Sequence, residues 1–308
     1  MKNKPKITAI IVNWNGYKDT LVCLDSLKRV NCNTAQLEVI VVDNGSADES
    51  VSVLRKSHPW VEVLETGRNL GFTGGNNFGM KYAMKRRTDF IWMLNNDTYV
   101  DEHVLSFADV FADESVGACG SKIYFAPGHE YHLDRYTKSE LGHVFWYAGG
   151  KVDWDNMYAS HRGVDEVDTG QYDTISETPF ITGCSFAIRT SLIENIGMLD
   201  DAYYLYLEDF DWSLRVNKAG YKTMYVPTSV LWHINAGSSG KPGNPTHEYY
   251  FTRNRLLVGF RYASFRTKFA LVREAIKYVY SGSPVRRRAV IDAFTGKFGK
   301  QYDPKKHN

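Results

Sequence analysis

Ile91-Trp92-Met93-Leu94-Asn95-Asn96-Asp97 decides how this chain folds. Four apolar residues suited to a buried parallel strand run directly into three polar, oxygen-bearing side chains. That is the pattern of a strand that delivers ligand-binding groups at its carboxyl end. Asp97 carries the one full charge, and a carboxylate beside carboxamide oxygens suits a hard divalent cation that keeps waters and bridges a diphosphate. Read alone, the segment is equally a strand closed by an Asn/Asp turn, so its meaning rests on its flanks.

Upstream, residues 6–12 (Lys-Ile-Thr-Ala-Ile-Ile-Val) form a β-branched run that ends in Asn13-Trp14-Asn15-Gly16, a first strand closed by a polar loop. Leu21, Leu24 and Leu27 place a helix over 19–29, with Lys28 and Arg29 where cations suit its dipole. A second strand at 37–42 ends in Asp43-Asn44-Gly45-Ser46, and this alternation is the βαβ signature of a parallel sheet. Asp43 reads as a carboxylate facing a ribose or base, or as an Asx turn ahead of a helix at 49–57. A short strand is expected at 61–64. The glycine-rich stretch 67–79, with Asn69, Asn76 and Asn77, reads as a loop approaching a ligand ahead of a helix at 77–86. No Gly-Lys-Ser/Thr closes it, which excludes a Walker loop.

Downstream, a helix is expected at 101–112 and a strand at 116–125. Residues 127–178 show no sustained period and read as an irregular insertion covering a site; the histidines there (129, 132, 143, 161) lack ligand spacing and read as ordinary surface or core residues. The run 180–189 reads as a strand interrupted by Gly183, where a ligand comes close. A short helix follows at 191–196. At 199–212 the carboxylates Glu208, Asp209 and Asp211 follow an aromatic cluster. Partial desolvation raises a carboxyl pKa and makes such a group a candidate proton acceptor; the same acids also suit the first turn of a helix at 211–219. Strands at 223–227 and 230–233 complete the core.

The 308 residues can bury a large core. Net charge is divided: residues 251–308 carry about +11 and residues 1–250 about −9, an acidic body with a basic tail. The four cysteines have no C-x-x-C spacing, which disfavours a zinc site or disulfide framework and fits reduced thiols in a cytoplasmic protein. No stretch approaches the ~18 apolar residues of a membrane span.

Taken together, the motifs resemble the family 2 inverting glycosyltransferases, in the rhamnosyltransferase-like branch. In order they are Ile10-Ile11-Val12-Asn13-Trp14-Asn15, Val41-Val42-Asp43-Asn44-Gly45-Ser46, Asn69-Leu70-Gly71 with Gly74-Gly75-Asn76-Asn77-Phe78-Gly79, Leu94-Asn95-Asn96-Asp97, Gly183-Cys184, Tyr206-Leu207-Glu208-Asp209-Phe210-Asp211 and His233. The resemblance covers 6–235. It implies an α/β glycosyltransferase-A (GT-A) fold: a Rossmann-like mixed sheet flanked by helices, with a catalytic domain over 1–237 and a basic, aromatic helical extension over 238–308. It implies a nucleoside diphosphate sugar held by Val12, Asn13, Asn15, Asp43, Asn44, Asn69, Gly74, Asn77, Asn96 and Asp97. Asp209 would be the base with Glu208 in support, Gly183, Tyr206 and Trp212 would meet the acceptor, and Asp97 with His233 would hold Mg2+ or Mn2+. Asn95 and Asn96 stand where acids often occur, leaving one formal charge for the cation.

The chemistry expected is a single displacement with inversion, since one base and no protein nucleophile are evident. Rhamnose from dTDP-rhamnose is the first choice of donor, with UDP-hexoses behind it, and the acceptor is a glycan or lipid-linked glycan of cell-surface polysaccharide synthesis. A non-catalytic sugar-nucleotide or glycan-binding protein is the rival from another class. Nothing points to nucleic acid. The tail, from Arg253 to the run Arg286-Arg287-Arg288 with interleaved aromatics, reads as peripheral membrane contact or as packing onto the catalytic domain or a second subunit of a homo-oligomer.

Overall fold

The computed structural model describes residues 4–234 and 243–303. The first half is built from β1 (Lys6–Asn13), α1 (Tyr17–Leu27), β2 (Gln36–Asp43), α2 (Ser50–Ser57), β3 (Glu62–Glu65), α3 (Gly71–Lys85) and β4 (Phe90–Asn95). β1 lies between β2 and β4 and is parallel to both, and β3 extends the sheet beyond β2. Alternation divides each strand between two cores: Ile7, Ala9 and Ile11 face α1 and α2 through Leu24 and Leu54, while Ile10 faces α3 through Met80.

The chain continues as β5 (Thr98–Val100), a 3₁₀ segment Val104–Ala112, β6 (Val116–Phe125), β7 (Phe145–Tyr147), β8 (Gly150–Asp153), β9 (Tyr158–His161), β10 (Ser176–Glu177), β11 (Ser185–Arg189), α4 (Thr190–Ile196), α5 (Glu208–Lys218) and β12 (Lys222–His233). β11 runs antiparallel between β4 and β6, which makes the sheet mixed, in the order β10-β12-β6-β11-β4-β1-β2-β3. The two expected strands at 223–233 are one, shifted in register between Val226 and Val230. The expected strand at 180–189 begins only at Ser185, and the helix expected at 101–112 is 3₁₀ from Val104.

The largest local difference from expectation is α3. It starts at Gly71, inside the stretch that reads as a loop. Its glycines serve packing: a Cβ on Gly75 would come 2.9 Å from Val12 Cγ1, and one on Gly79 would come 2.6 Å from Ile10 Cγ2. The helix therefore lies closer to the sheet than any side chain allows.

The insertion is tied down by a buried ion cluster. Lys122 on β6, only 5% exposed, donates to Asp168 at 2.8 Å and to Asp173, and the Tyr124 hydroxyl donates to Asp168. Beyond β12 come α6 (Pro245–Tyr262), α7 (Phe265–Ser281) and α8 (Pro284–Phe294); the expected boundary at 237/238 lies outside the described residues. α6 is buried along Tyr249, Tyr250, Arg253, Asn254 and Arg255. α7 instead exposes Phe265, Phe269, Ile276 and Tyr280. No described helix is long and apolar enough to cross a membrane. Cys23, Cys119 and Cys184 are buried thiols, and Cys32, between α1 and β2, is exposed.

Candidate active site

The carboxyl ends of β1, β2 and β4 meet in one polar network. Asn13 is fully buried; its amide donates to Asp43 Oδ1 at 3.0 Å and to Ser46 Oγ at 3.2 Å, while its oxygen accepts from Thr20. The backbone amide of Ser46 donates to the other Asp43 oxygen at 3.0 Å. Asp43 is thus set by strand pairing and by this local turn bond from Ser46 together, which leaves the ligand-facing reading of it open. Asn15, left-handed at φ 50° and exposed, accepts from the Ala47 amide. Asn96 donates to Thr20 Oγ1 and Gly16 O, which ties it to the start of α1.

The β5–β12 pairing fixes a second group. His233 lies opposite Thr98, and the Ile234 amide donates to Asp97 O at 2.8 Å. This places His233 Nε2 3.2 Å from Asp97 Oδ1. His233 Nδ1 is buried and has no hydrogen-bond partner among the described residues. One carboxylate and one imidazole, both mostly buried and adjacent, fit a divalent cation such as manganese, which takes carboxylate oxygen together with imidazole nitrogen and would leave room for water and phosphate oxygens. Among the described residues no three acidic, histidine or cysteine groups come together as a metal site.

The third part comes from the β11 and α5 ends. The Gly183 amide donates to Asp209 Oδ2 at 2.7 Å, and the Phe210 amide to Oδ1 at 2.8 Å. Asp209 is half-buried, whereas Glu208 is 4% exposed with Oε2 unpartnered. Burial raises the pKa of both, and the Asp209 charge raises Glu208 further. The three parts adjoin through the β4–β11 junction: Cys184 O accepts from the Asn95 amide, and the buried Cys184 thiol is pushed up by burial first, then by Asp97 and by Asp209.

Immediately before Glu208 the backbone is strained. Tyr204, Tyr206 and Leu207 have φ of 65°, 70° and 69°, a region that costs a non-glycine residue about 1–3 kcal/mol and persists only where surroundings enforce it. Tyr204 also packs on the start of α3: a Cβ on Gly71 would meet its ring at 2.4 Å, and its hydroxyl donates to Asn69 Oδ1.

The other expected residues divide. Asn44, Asn77 and Asn15 use their amides as internal braces: Asn44 receives the Leu70 amide and donates to Gly71 O, and Asn77 donates to Leu199 O and Asp201. Asn69, Gly74 and Asn77, together with Arg68, Lys81, Tyr204 and Lys300, line an open cleft of about 450 Å³. Gly183 sits beside Asp209, where a Cβ would lie 3.5 Å from Asp209 Cβ. Tyr206 is half-buried against His247. Trp212 is a correction: expected at the acceptor, it is fully buried, stacked on Phe186 at 4.9 Å and donating to Gly197 O.

Two neighbours were invisible in the sequence. Trp146, from β7, lies with its ring 4.5 Å from that of His233, and His161 packs under it, burial lowering the imidazole to about 4. Both come from the aperiodic insertion, which carries no signal for placement. Asp19, in the first turn of α1, has its carboxyl raised by burial and then by Asp97; an acid at a helix start is too common to single out.

A family model described as glycosyl transferase family 2 matches residues 8–197, more than half of the chain. An N-acetylglucosaminyl-diphospho-decaprenol L-rhamnosyltransferase of Mycobacterium tuberculosis is 26% identical over 229 residues, 67% of this chain and 69% of its own. A dTDP-rhamnosyl transferase, RfbF of Shigella flexneri, is 22% identical over 82% of this chain and 79% of its own. Among solved structures, GalNAc-T7 with UDP, GalNAc and Mn2+ superposes with a TM-score of 0.67 at 15% identity. The match covers 97% of this chain, which spans 56% of that one. The mannosyltransferase PcManGT of Pyrobaculum calidifontis, with GDP-Man and Mn2+, gives a TM-score of 0.55 at 18% identity, over 99% and 79% of the two chains. The fold they share is GT-A.

Proposed function

The chain belongs to glycosyl transferase family 2 and is a glycosyltransferase, and from that premise we propose that it transfers rhamnose from dTDP-rhamnose, with inversion, to a hydroxyl of a glycan or lipid-linked glycan. The observation that carries the mechanism is Asp209: a half-buried carboxylate, oriented by two backbone amides, one of them from Gly183, whose neighbour Cys184 accepts from the Asn95 amide two residues before Asp97. The donor choice rests on the names of the two curated relatives. UDP-hexose is the second reading, favoured by the UDP bound in GalNAc-T7.

In this reading Asp43, at the end of β2 and oriented by the buried Asn13 amide, faces the nucleoside, and Asp97 and His233 would hold a divalent cation. When bound, that cation supplies positive charge to the departing diphosphate. Asp209 takes the proton of the acceptor hydroxyl as its oxygen bonds to the anomeric carbon and the bond to the diphosphate breaks. The two amide hydrogen bonds oppose the rise that burial gives Asp209, so the carboxylate remains available as base. Glu208, buried behind it, stays protonated over a wider range and keeps a second negative charge out of the pair.

A lipid-linked acceptor is supported by α7, where Phe265, Phe269, Ile276 and Tyr280 share one exposed helical face bordered by Arg266, Arg273 and Lys277. The expected spread of cations over the whole tail needs correction: Arg253 and Arg255 are buried, and Arg286 is paired with Glu248 at 2.8 Å.

The deciding experiment is turnover of Asp209→Asn together with a thermal-shift screen of nucleoside diphosphates and their sugars. Asp209→Asn should lose a factor on the order of 10²–10⁴ in turnover with donor affinity within a few-fold. Near-normal turnover, or a dead Glu208→Gln beside an active Asp209→Asn, reassigns the base. The screen should favour dTDP-rhamnose, and Asp97→Ala should remove the manganese-dependent part of the shift; full activity in excess chelator excludes the cation.

A further inference from the structure

α6 lies beyond the segment matched by the family model, yet it supplies the groups that hold the strained backbone in front of Glu208–Asp209. Asn254 is fully buried, and its Nδ2 donates to Tyr203 O at 3.0 Å, Leu205 O at 2.8 Å and Tyr206 O at 2.8 Å. Three acceptors for two protons require one to be shared, so the carboxamide sits centred in the turn. Arg253, also fully buried, donates through Nη2 to Ala202 O at 2.9 Å and Tyr203 O at 2.8 Å, and through Nη1 to Gly299 O at 2.7 Å.

The same guanidinium locks its neighbour. Nε and Nη2 of Arg253 donate to Asn254 Oδ1 at 3.0 and 2.9 Å, which fixes the amide so that Nδ2, not the oxygen, points at the carbonyls. Further along α6, the Tyr262 hydroxyl donates to Asp211 Oδ1 at 2.8 Å and Arg261 to the same oxygen at 3.2 Å. Asp211 is fully buried in the first turn of α5. α6 thus holds the backbone on both sides of the two acids, one side through Asn254 and Arg253 and the other through Asp211.

We propose that Asn254, locked by Arg253, is a positioning residue for Asp209: it enforces the left-handed turn at Tyr204, Tyr206 and Leu207 that aims the base at the acceptor. The claim rests on the reading of Asp209 as the base. Leu207 makes no side-chain cap to α5, so the direction in which the helix leaves the turn is set by the backbone that Asn254 gathers. Without those donors the turn relaxes toward ordinary φ values and α5 starts in another direction. The carboxyl ends of β1 and β2 are on separate elements, and the turn reaches them only through the Tyr204 contacts with Asn69 and the start of α3.

The test is steady-state kinetics of Asn254→Ala in the full chain, with Asp209→Asn and Arg255→Met in parallel. Arg255 is the next residue of α6 and is buried, but it serves the insertion and α7, donating to Asn156 O and pairing with Glu274. Asn254→Ala should lower kcat about 100-fold while KM for the donor and affinity for the nucleoside diphosphate stay within 3-fold. Arg255→Met should leave kcat within 3-fold even where it lowers the Tm as much. Asn254→Ser, which keeps one donor, should recover part of the lost kcat and stands in if the alanine variant does not fold. A kcat within 3-fold in both Asn254 variants, or an equal loss in Arg255→Met, overturns the proposal. If Asp209→Asn is dead while the Asn254 variants are normal, only the positioning role fails. If Asp209→Asn keeps turnover, the base assignment fails first and the positioning of Asp209 falls with it.

Discussion

α6 and α7 follow one another in the chain, have 18 and 17 residues, and are both rich in cations and aromatic side chains. They do opposite things. α6 turns Arg253 inward, under Tyr249, Tyr250 and Phe298, and uses every arm of the guanidinium on backbone or side-chain oxygens. α7 turns its aromatics outward, with Phe265 87% and Tyr280 82% exposed. The difference lies in what each helix meets. α6 lies on a turn whose strained backbone presents carbonyls that no ladder satisfies, and a buried guanidinium is stable where it is fully hydrogen-bonded. α7 buries only Thr267, Leu271 and Ala275, with Leu271 against Gly259 of α6 and Thr267 donating to Trp154 O between β8 and β9, and one narrow stripe is all it needs to dock. Composition separates neither role from the other; the unsatisfied oxygens of a distant segment do.

The strongest way to break this contrast is Arg253→Met against Arg273→Met. The first leaves the Gly299 carbonyl and Asn254 Oδ1 without their donor and takes one of the donors from Ala202 O and Tyr203 O, and should cost about 3 kcal/mol or more of stability. The second removes an exposed cation and should stay within about 0.5 kcal/mol. Urea denaturation midpoints at unchanged m-value decide it, and equal midpoints would dissolve the distinction between the helices.

A smaller effect sharpens the other side. Phe265→Ser, Phe269→Ser and Tyr280→Ser combined should leave the midpoint nearly unmoved yet abolish cosedimentation with anionic vesicles. Arg287→Ala should weaken that binding by roughly 1 kcal/mol, about five-fold. Arg286→Ala and Arg288→Ala should do less, because Arg286 is engaged by Glu248 and Arg288 lies 3.6 Å from Asp292. Vesicle binding unchanged in the triple variant would make the stripe an interface for a second subunit.

The smallest expected effect concerns what α6 holds in place. Burial raises the Glu208 pKa, so its contribution to stability is complete below the ordinary glutamate value and is lost as pH rises through the higher folded value. Glu208→Gln should therefore stabilise the protein at neutral pH, by on the order of 1 kcal/mol, with the gain vanishing in acid. A loss at neutral pH would mean that the buried carboxylate has a partner in the folded protein.

The parts of the candidate site legible in the sequence are those where an apolar run breaks into polar residues: Asn13 at the end of β1, Asp43 at the end of β2, Asp97 after β4 and His233 at the end of β12. A strand's periodicity fixes where its carboxyl end falls, and a GT-A sheet gathers those ends. Three features resisted. The glycines of α3 read as a loop because glycine is intrinsically a poor helix former, and only the approach of Val12 and Ile10 explains a helix there. The turn at Tyr204–Leu207 contains no glycine to announce its left-handed backbone. Trp212 sits among carboxylates in sequence, but helical geometry turns it to the core while Asp209 stays partly exposed.

The four thiols are distributed in a way that helps experiment. Cys23, Cys119 and Cys184 are buried, burial pushing each of them up, which leaves Cys32 as the one a maleimide reaches in the folded protein. It lies between α1 and the start of β2 at Gln36, at the opposite end of that strand from Asp43. The native chain therefore carries a single attachment point for a fluorophore or spin label on the side away from the cleft. From there the tilt of the molecule over a bilayer can be read by distance to lipid-borne acceptors while the cleft stays open and no residue has been changed.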